Sequence, residues 1–172
     1  MHAIDVTTQG LQLAEAPTPQ AGPGQLLVQV RAAGVNRADL MQAAGSYPPP
    51  AGESTILGLE IAGEVVAIGP GVSDFAVGDA VFGLVGGGGY AQYCVLDAAL
   101  AINKPASLPF AQAAALPEAW MTAWFNLVTL GALQAGQRAL IHAGASGVGS
   151  VAIQLAHHLG ARVAATVGSA AK

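Results

Sequence analysis

The stretch that most constrains this chain is residues 138–172, RALIHAGASGVGSVAIQLAHHLGARVAATVGSAAK. An apolar run at Arg138–His142 suits a short buried strand, and the same pattern returns at Arg162–Val167 after a helical segment. In that segment Val148, Val151, Ala152, Leu155 and Leu159 fall on one face at helical spacing, and Gly160 stands where a left-handed cap would end the helix. The order is therefore strand, turn, helix, strand. The turn carries Gly144, Gly147 and Gly149 among the small residues Ala143, Ala145 and Ser146. Small residues let backbone approach a ligand closely, and the first turn of a helix offers N–H groups and a partial positive charge to a phosphate. The spacing is G-x-x-G-x-G rather than the usual G-x-G-x-x-G, so the glycines alone are equally consistent with a tight structural turn. Their place between a strand and a helix points to a dinucleotide cradle.

The end of the second strand bears on which dinucleotide it would be. NAD sites usually place a carboxylate roughly 20 residues past the glycines, on the ribose 2′-hydroxyl. No Asp or Glu follows Glu118 in this chain, and the strand runs instead into Gly168, Ser169 and Lys172. A hydroxyl and an ammonium suit a 2′-phosphate, so NADPH is expected over NADH. A solvated surface lysine is the other reading of Lys172.

The 172 residues are 53% hydrophobic and 9% charged, enough apolar material for one large domain or two small ones. A net charge of −4 with no basic cluster argues against a nucleic-acid partner. Cys94 is the one cysteine, which excludes a disulfide framework and fits a reducing compartment, so a cytoplasmic location is expected. The opening MHAIDVTTQG lacks the basic and apolar regions of a signal peptide. Residues 139–161 contain no Asp, Glu, Lys or Arg, yet glycines, serines and histidines interrupt them, so no membrane span is expected.

Upstream, the chain reads as short strands between Gly and Pro turns. His2–Val6 and Leu11–Leu13 suggest an opening hairpin. Gln25–Ala33, Ile61–Ile68, Ala80–Val85, Tyr90–Leu96 and Leu100–Ile102 suggest further strands, with Gly86–Gly89 as a flexible joint. Such a pattern suggests a compact β barrel. One helix is expected at Asn36–Ala43, with Asn36 as N-cap and Asp39 completing a box-like start. Tyr47 and Pro48–Pro50 follow on a rigid loop fit to wall a ligand. Phe110–Leu116 and Glu118–Leu130 read as two helices, the first stopped by Pro117 and the second by Gly131.

Three runs, AGVNRADLMQAAGSYPPP from Ala33, ILGLEIAGEVVAIGPGV from Ile56 and IHAGASGVGSVAIQLA from Ile141, resemble the medium-chain dehydrogenase/reductase superfamily. Within it they look like the zinc-independent quinone oxidoreductases of the zeta-crystallin type. The resemblance implies α/β plus β architecture: an N-terminal GroES-like β barrel, residues 1–121, then the first βαβ part of a Rossmann doubly wound sheet, residues 122–172. NADPH would lie between them. A complete doubly wound domain needs about six strands, so the cofactor domain is expected to be truncated here. The zinc-dependent members place a cysteine and a histidine where this chain has Asn36 and Leu59, and neither side chain can supply a thiolate or an imidazole. No metal is expected. His142, His157 and His158 read as structural.

Carried over by position, the resemblance places Asn36 and Tyr47 beside nicotinamide and substrate, as the catalytic pair, and Thr122 near the nicotinamide amide. It places Gly144, Ser146, Gly147, Val148 and Gly149 at the pyrophosphate, and Ser169 and Lys172 at the 2′-phosphate. Plainer roles compete for three of these: Asn36 as a helix cap, Tyr47 as a loop aromatic packed on the barrel, and Thr122 as a hydroxyl bonding back along its helix. The implied activity is hydride transfer from NADPH to a quinone, in a homodimer when full length. An enone or enoyl thioester is the alternative substrate. A non-catalytic NADPH-binding protein and an inactive fragment are the alternatives from other classes.

Overall fold

The computed structural model describes residues 1–169 and 171. The chain divides into two compact units, one ending at Pro117 and the other beginning at Glu118.

The first unit holds an antiparallel hairpin, β1 (His2–Thr7) with β2 (Gly10–Glu15), and a five-stranded antiparallel sheet. The sheet strands are β3 (Gln25–Ala33), β4 (Glu60–Ile68), β5 (Ala80–Leu84), β6 (Tyr93–Asp97) and β7 (Ala101–Asn103), in the order β6-β3-β4-β5-β7. Register shifts between β3 and β4 at Leu27/Val28 and at Val30/Ala32 bend the central pair, because an extra residue on one strand increases local twist. The sheet therefore curls, and Leu26, Val28, Ile61, Val65, Val81 and Leu96 fill its concave side with no more than 1% of their surface exposed. Burying each such side chain contributes about 1.5–3 kcal/mol. The opposite face is also covered. Ala62 and Phe82 pack with Ala113 and Ala114, at and just after the short helix α2 (Phe110–Ala113). Helix α1 (Arg37–Ala43) lies between β3 and β4 in sequence.

The second unit is built on a strand–helix–strand motif: β8 (Arg138–Ile141), α4 (Gly147–His158) and β9 (Arg162–Ala165), with β8 and β9 parallel. Gly160, at φ +79°, follows α4 in the left-handed conformation expected of it. Ahead of β8, α3 (Pro117–Trp124) continues as a π-helical stretch, Phe125–Leu130.

The structure corrects several expectations. Pro117 opens α3 instead of merely stopping α2, since the first helical position needs no N–H. The helix expected to run unbroken to Leu130 widens where Asn126 Nδ2 donates to the Thr122 carbonyl at 2.8 Å, engaging an acceptor the α pattern would give to the N–H of residue 126. Gly86–Gly89 is not a flexible joint. The Gly88 and Gly89 N–H groups donate to the Ile56 and Gly58 carbonyls at 2.7 and 3.1 Å, and a Cβ on Gly87 would meet the Ser54 carbonyl. These glycines permit close backbone packing. Tyr90 lies outside β6, its N–H donating to the Leu57 carbonyl at 2.8 Å and its own carbonyl accepting from Ile4 at 2.8 Å. The last expected strand shifts to β7, after a 3-10 turn at Ala98–Leu100.

In the second unit, β8 and β9 are shorter than expected and only half covered. Ile141 is buried while its neighbour Leu140 is 59% exposed, and His142 is exposed instead of ending a buried strand. Val148 also leaves the expected apolar stripe. Gly149, Ala152, Leu155 and Ala156 form the buried side of α4.

Candidate functional site

The turn between β8 and α4 is fixed from both ends. Ser146 caps α4, its Oγ accepting the Gly149 N–H at 3.0 Å. Helix geometry leaves the Gly147 and Val148 N–H groups without carbonyls of the preceding turn. The glycines in this turn do different jobs. A Cβ on Gly149 would meet the Ala143 carbonyl oxygen, so Gly149 lets α4 sit directly on the turn. A Cβ on Gly147 would meet nothing within 4 Å, so packing does not require glycine there. A Cβ on Gly144 would come within 2.8 Å of the Ala165 side chain, so Gly144 brings the turn against the end of β9. Ala143, Ala145 and Ser146 together with Val167 and Gly168 line a concavity of about 200 Å³. A hydroxyl and small side chains thus line a surface hollow next to the start of α4, and a helix start with open N–H groups suits a phosphate-bearing ligand.

The other expected residues of this unit are placed separately. Ser169 is exposed, two residues beyond Val167. Thr122 is half-buried on α3, one turn before the π-helical stretch. Lys172 lies outside the described residues.

In the first unit Asn36 belongs to a buried polar cluster. It caps α1, and its backbone N–H donates to Asp39 Oδ2 at 2.6 Å, as in a capping box. Its side-chain amide turns to β4, donating to Glu60 Oε1 at 2.8 Å. Tyr90 Oη donates to the same Asp39 oxygen at 2.7 Å. Asp39 and Glu60 are each 3% exposed. Gly34 makes room for the second of them, since a Cβ there would meet the Glu60 carboxylate. Burial raises the Tyr90 phenol above its ordinary range, and the hydrogen bond to Asp39 with the charges of Asp39 and Glu60 adds to the rise. The phenol is therefore a neutral donor at physiological pH.

Sequence reasoning found Asn36 but missed Glu60, Asp39 as more than a cap, and Tyr90. The available signal was carboxylates in otherwise apolar stretches: Glu60 directly precedes IAG, and Asp39 directly precedes LM. Tyr47, on the loop after α1, is 46% exposed. Leu59, at the position read as a lost metal ligand, is half-buried, and its carbonyl accepts the Val85 N–H at 2.9 Å. Among the described residues no group of three or more His, Cys, Asp or Glu could hold a metal ion.

Residues 22–106 match the alcohol dehydrogenase GroES-like domain. The curled β3–β7 sheet is that domain. Beyond the GroES-like segment, similarity extends over nearly the whole chain. A polyketide synthase, GfsB, of Streptomyces halstedii is 46% identical over 155 residues, 90% of this chain and 3% of that protein. The phthioceranic/hydroxyphthioceranic acid synthase of Mycobacterium bovis is 44% identical over 161 residues, 94% of this chain and 8% of that protein. Among solved structures, an alcohol dehydrogenase superfamily protein of Novosphingobium aromaticivorans is 45% identical with a TM-score of 0.87, over 98% of this chain and 53% of that one. The CurK enoyl reductase is 31% identical with a TM-score of 0.89, over 99% of this chain and 55% of that one. A mycobacterial protein complexed with NADPH and the quinone oxidoreductase of Coxiella burnetii are 37% and 35% identical, each with a TM-score of 0.86, over 99% and 97% of this chain and 54% and 56% of theirs. The chain spans a small fraction of these synthases and about half of these solved chains. The GroES-like domain followed by the start of a parallel sheet is thus the architecture these structures share with it. Among the described residues no helix is long and apolar enough to cross a membrane.

Proposed function

We propose that this chain contributes the GroES-like domain and the phosphate-binding half of the nucleotide domain to an NADPH-dependent reductase of conjugated acceptors. The observation that carries the reading is the β8–α4 turn, where Gly149 seats the helix on the strand end while Gly147 leaves its approach open. The residues present fit the cofactor. Gly147 and Val148 would offer N–H groups to the diphosphate, with Ser146 lining the hollow beside it and Gly144 holding the turn against the end of β9. Ser169 and Lys172, in a tail without carboxylates, would favour the 2′-phosphate. A relative of this fold complexed with NADPH supports the same assignment.

Bound NADPH would supply hydride. The protein's share of the chemistry is to hold donor and acceptor in line and to exclude water. On this reading Thr122 lies near the nicotinamide amide and Tyr47 walls the acceptor. Asn36, its amide held by Glu60, faces the acceptor from a fixed position. Quinones and enoyl thioesters are both acceptors in which a carbonyl is conjugated to a carbon–carbon double bond. Hydride delivery to either leaves an enolate or phenolate that takes a proton. A quinone substrate is supported by the likeness to quinone oxidoreductases, and an enoyl substrate by CurK and by the polyketide synthases. A cytoplasmic location and a homodimeric full-length form complete the proposal.

The test is titration with NADPH and NADH, followed by turnover of a quinone and an enoyl thioester in parallel, on this chain and on a longer form carrying a complete nucleotide domain. Tighter binding of NADPH and reduction of either acceptor is expected. Equal affinity for both nucleotides would refute the 2′-phosphate assignment, and binding without oxidation of NADPH on either acceptor would identify a non-catalytic nucleotide-binding protein.

A further inference from the structure

The cradle turn has a support outside its own glycine pattern. Ala143 sits at φ +54°, a left-handed conformation that a residue with a Cβ rarely adopts. Its carbonyl is the surface on which Gly149 packs, and it also accepts the Ser146 N–H at 2.9 Å. The twist at Ala143 therefore sets where the first turn of α4 begins.

Thr166, the first residue after β9, reaches this point from the neighbouring strand through four contacts. Its N–H donates to the Ile141 carbonyl at 3.0 Å, and its carbonyl accepts the Gly144 N–H at 2.9 Å. Its Oγ1 accepts the Ala143 N–H at 3.3 Å and lies 3.2 Å from His142 Nδ1. The backbone pair would form with any residue at this position. The two side-chain contacts need a hydroxyl, which can accept from the Ala143 amide and donate to an unprotonated imidazole nitrogen at once. Thr166 thus spans the four consecutive residues, Ile141 to Gly144, at which β8 turns into the cradle, and one of them, Ala143, is strained.

We propose that Thr166 is a positioning residue, whose hydroxyl holds Ala143 in its left-handed conformation and so fixes the phosphate-binding turn in the shape that receives NADPH. This rests on the cradle reading above. A valine has nearly the shape of threonine without the hydroxyl, so Thr166→Val isolates the side-chain bonds. Thr166→Ser keeps them. Ala143→Gly removes the steric penalty at φ +54° and with it the need for a clamp.

The experiment is NADPH titration of the wild-type chain, Thr166→Val, Thr166→Ser and the double variant Thr166→Val/Ala143→Gly, with amide hydrogen exchange at Ala143 and Gly144 followed in parallel. Loss of the two hydroxyl contacts predicts NADPH affinity about five- to tenfold weaker in Thr166→Val. Affinity in Thr166→Ser should stay near wild type, and the double variant should recover part of the loss. The Ala143 amide should exchange faster in Thr166→Val. Wild-type affinity in Thr166→Val, with wild-type protection at Ala143, would overturn the positioning role and leave the cradle standing. A wild-type chain that binds no NADPH would overturn both. A Thr166→Val loss that the double variant does not recover would show a general packing role and overturn the clamp.

Discussion

The glycines of the β8–α4 turn can be separated by two single substitutions with opposite consequences. In Gly149→Ala the new methyl would lie against the Ala143 carbonyl oxygen, 2.9 Å from the Gly144 Cα and 3.0 Å from the Ala143 carbonyl carbon. These are backbone atoms, so relief requires α4 to move off the turn by several tenths of an ångström. Overpacking of this kind costs about 1–3 kcal/mol, offset by at most about 1 kcal/mol from the better helix propensity of alanine. The net effect expected is about 1–2 kcal/mol of lost stability, a fall of roughly 2–8 °C in unfolding midpoint for a chain of this size. In Gly147→Ala the methyl meets nothing within 4 Å and the backbone is not left-handed, so the change in stability should stay within about 0.5 kcal/mol. That methyl would nevertheless occupy the open approach to the helix start, and NADPH affinity should fall by more than about tenfold, 1.4 kcal/mol. Thermal unfolding and fluorescence titration of both variants measure the two quantities independently. Unchanged NADPH affinity in Gly147→Ala would refute the view that a phosphate meets the helix there. An unchanged midpoint in Gly149→Ala would refute the packing argument.

Tyr90→Phe removes one of the two hydrogen bonds to Asp39 Oδ2, and Asp39 Oδ1 is buried without a partner. A loss of about 1.5–3 kcal/mol is expected in denaturant unfolding, and a loss below about 0.5 kcal/mol would show that the buried carboxylate does not depend on the phenol. Burial, with a smaller effect from the charge of Glu53, pushes the Cys94 thiol from 9.0 up to about 12. The folded state then holds a proton that the unfolded state releases. The stability this contributes is complete below pH 9 and is lost as the pH rises toward 12, at up to about 1.4 kcal/mol per pH unit. Cys94→Ala should flatten that alkaline decline, and an unchanged slope would count against the burial. In a longer form, Lys172→Ala should reduce the preference for NADPH over NADH, and an unchanged preference would remove that lysine from the 2′-phosphate assignment.

How much of this was legible in the sequence depends on how local the deciding interactions are. The β1–β2 hairpin, β3 and the Asn36 cap follow from alternation and turn chemistry within a few residues, and the structure has them as expected. Gly86–Gly89 was misread because glycine suits both a loose joint and a tight fit, and only the distant Ser54–Gly58 backbone decides between them. Val148 was misplaced for a different reason. Helical periodicity gives a direction for the apolar stripe, yet at the first turn of α4 the seat on Ala143 turns Gly149 inward and leaves Val148 at the surface.

The candidate site divides along the same line. The turn proposed as a cradle was legible as a strand-to-helix turn because its features are carried by backbone, and backbone exposure is written in a short run of small residues. The polar cluster of the first unit was half visible: the Asn36–Asp39 box is local to the start of α1, whereas Glu60 and Tyr90 come from β4 and the segment before β6 and reach it only in the folded sheet. Two carboxylates at 3% exposure are costly to bury. Asn36, at a position where zinc-dependent members of the superfamily are expected to carry a metal ligand, instead ties one carboxylate through its side chain and the other through its backbone. A side chain so held cannot rotate freely to follow different acceptors. Discrimination between a quinone and an enoyl thioester should therefore fall to the exposed Tyr47 loop, and exchanging residues 46–50 for those of an enoyl reductase should shift acceptor preference without moving the unfolding midpoint by more than about 2 °C. A shift in stability with no change in preference would return that role to the buried cluster.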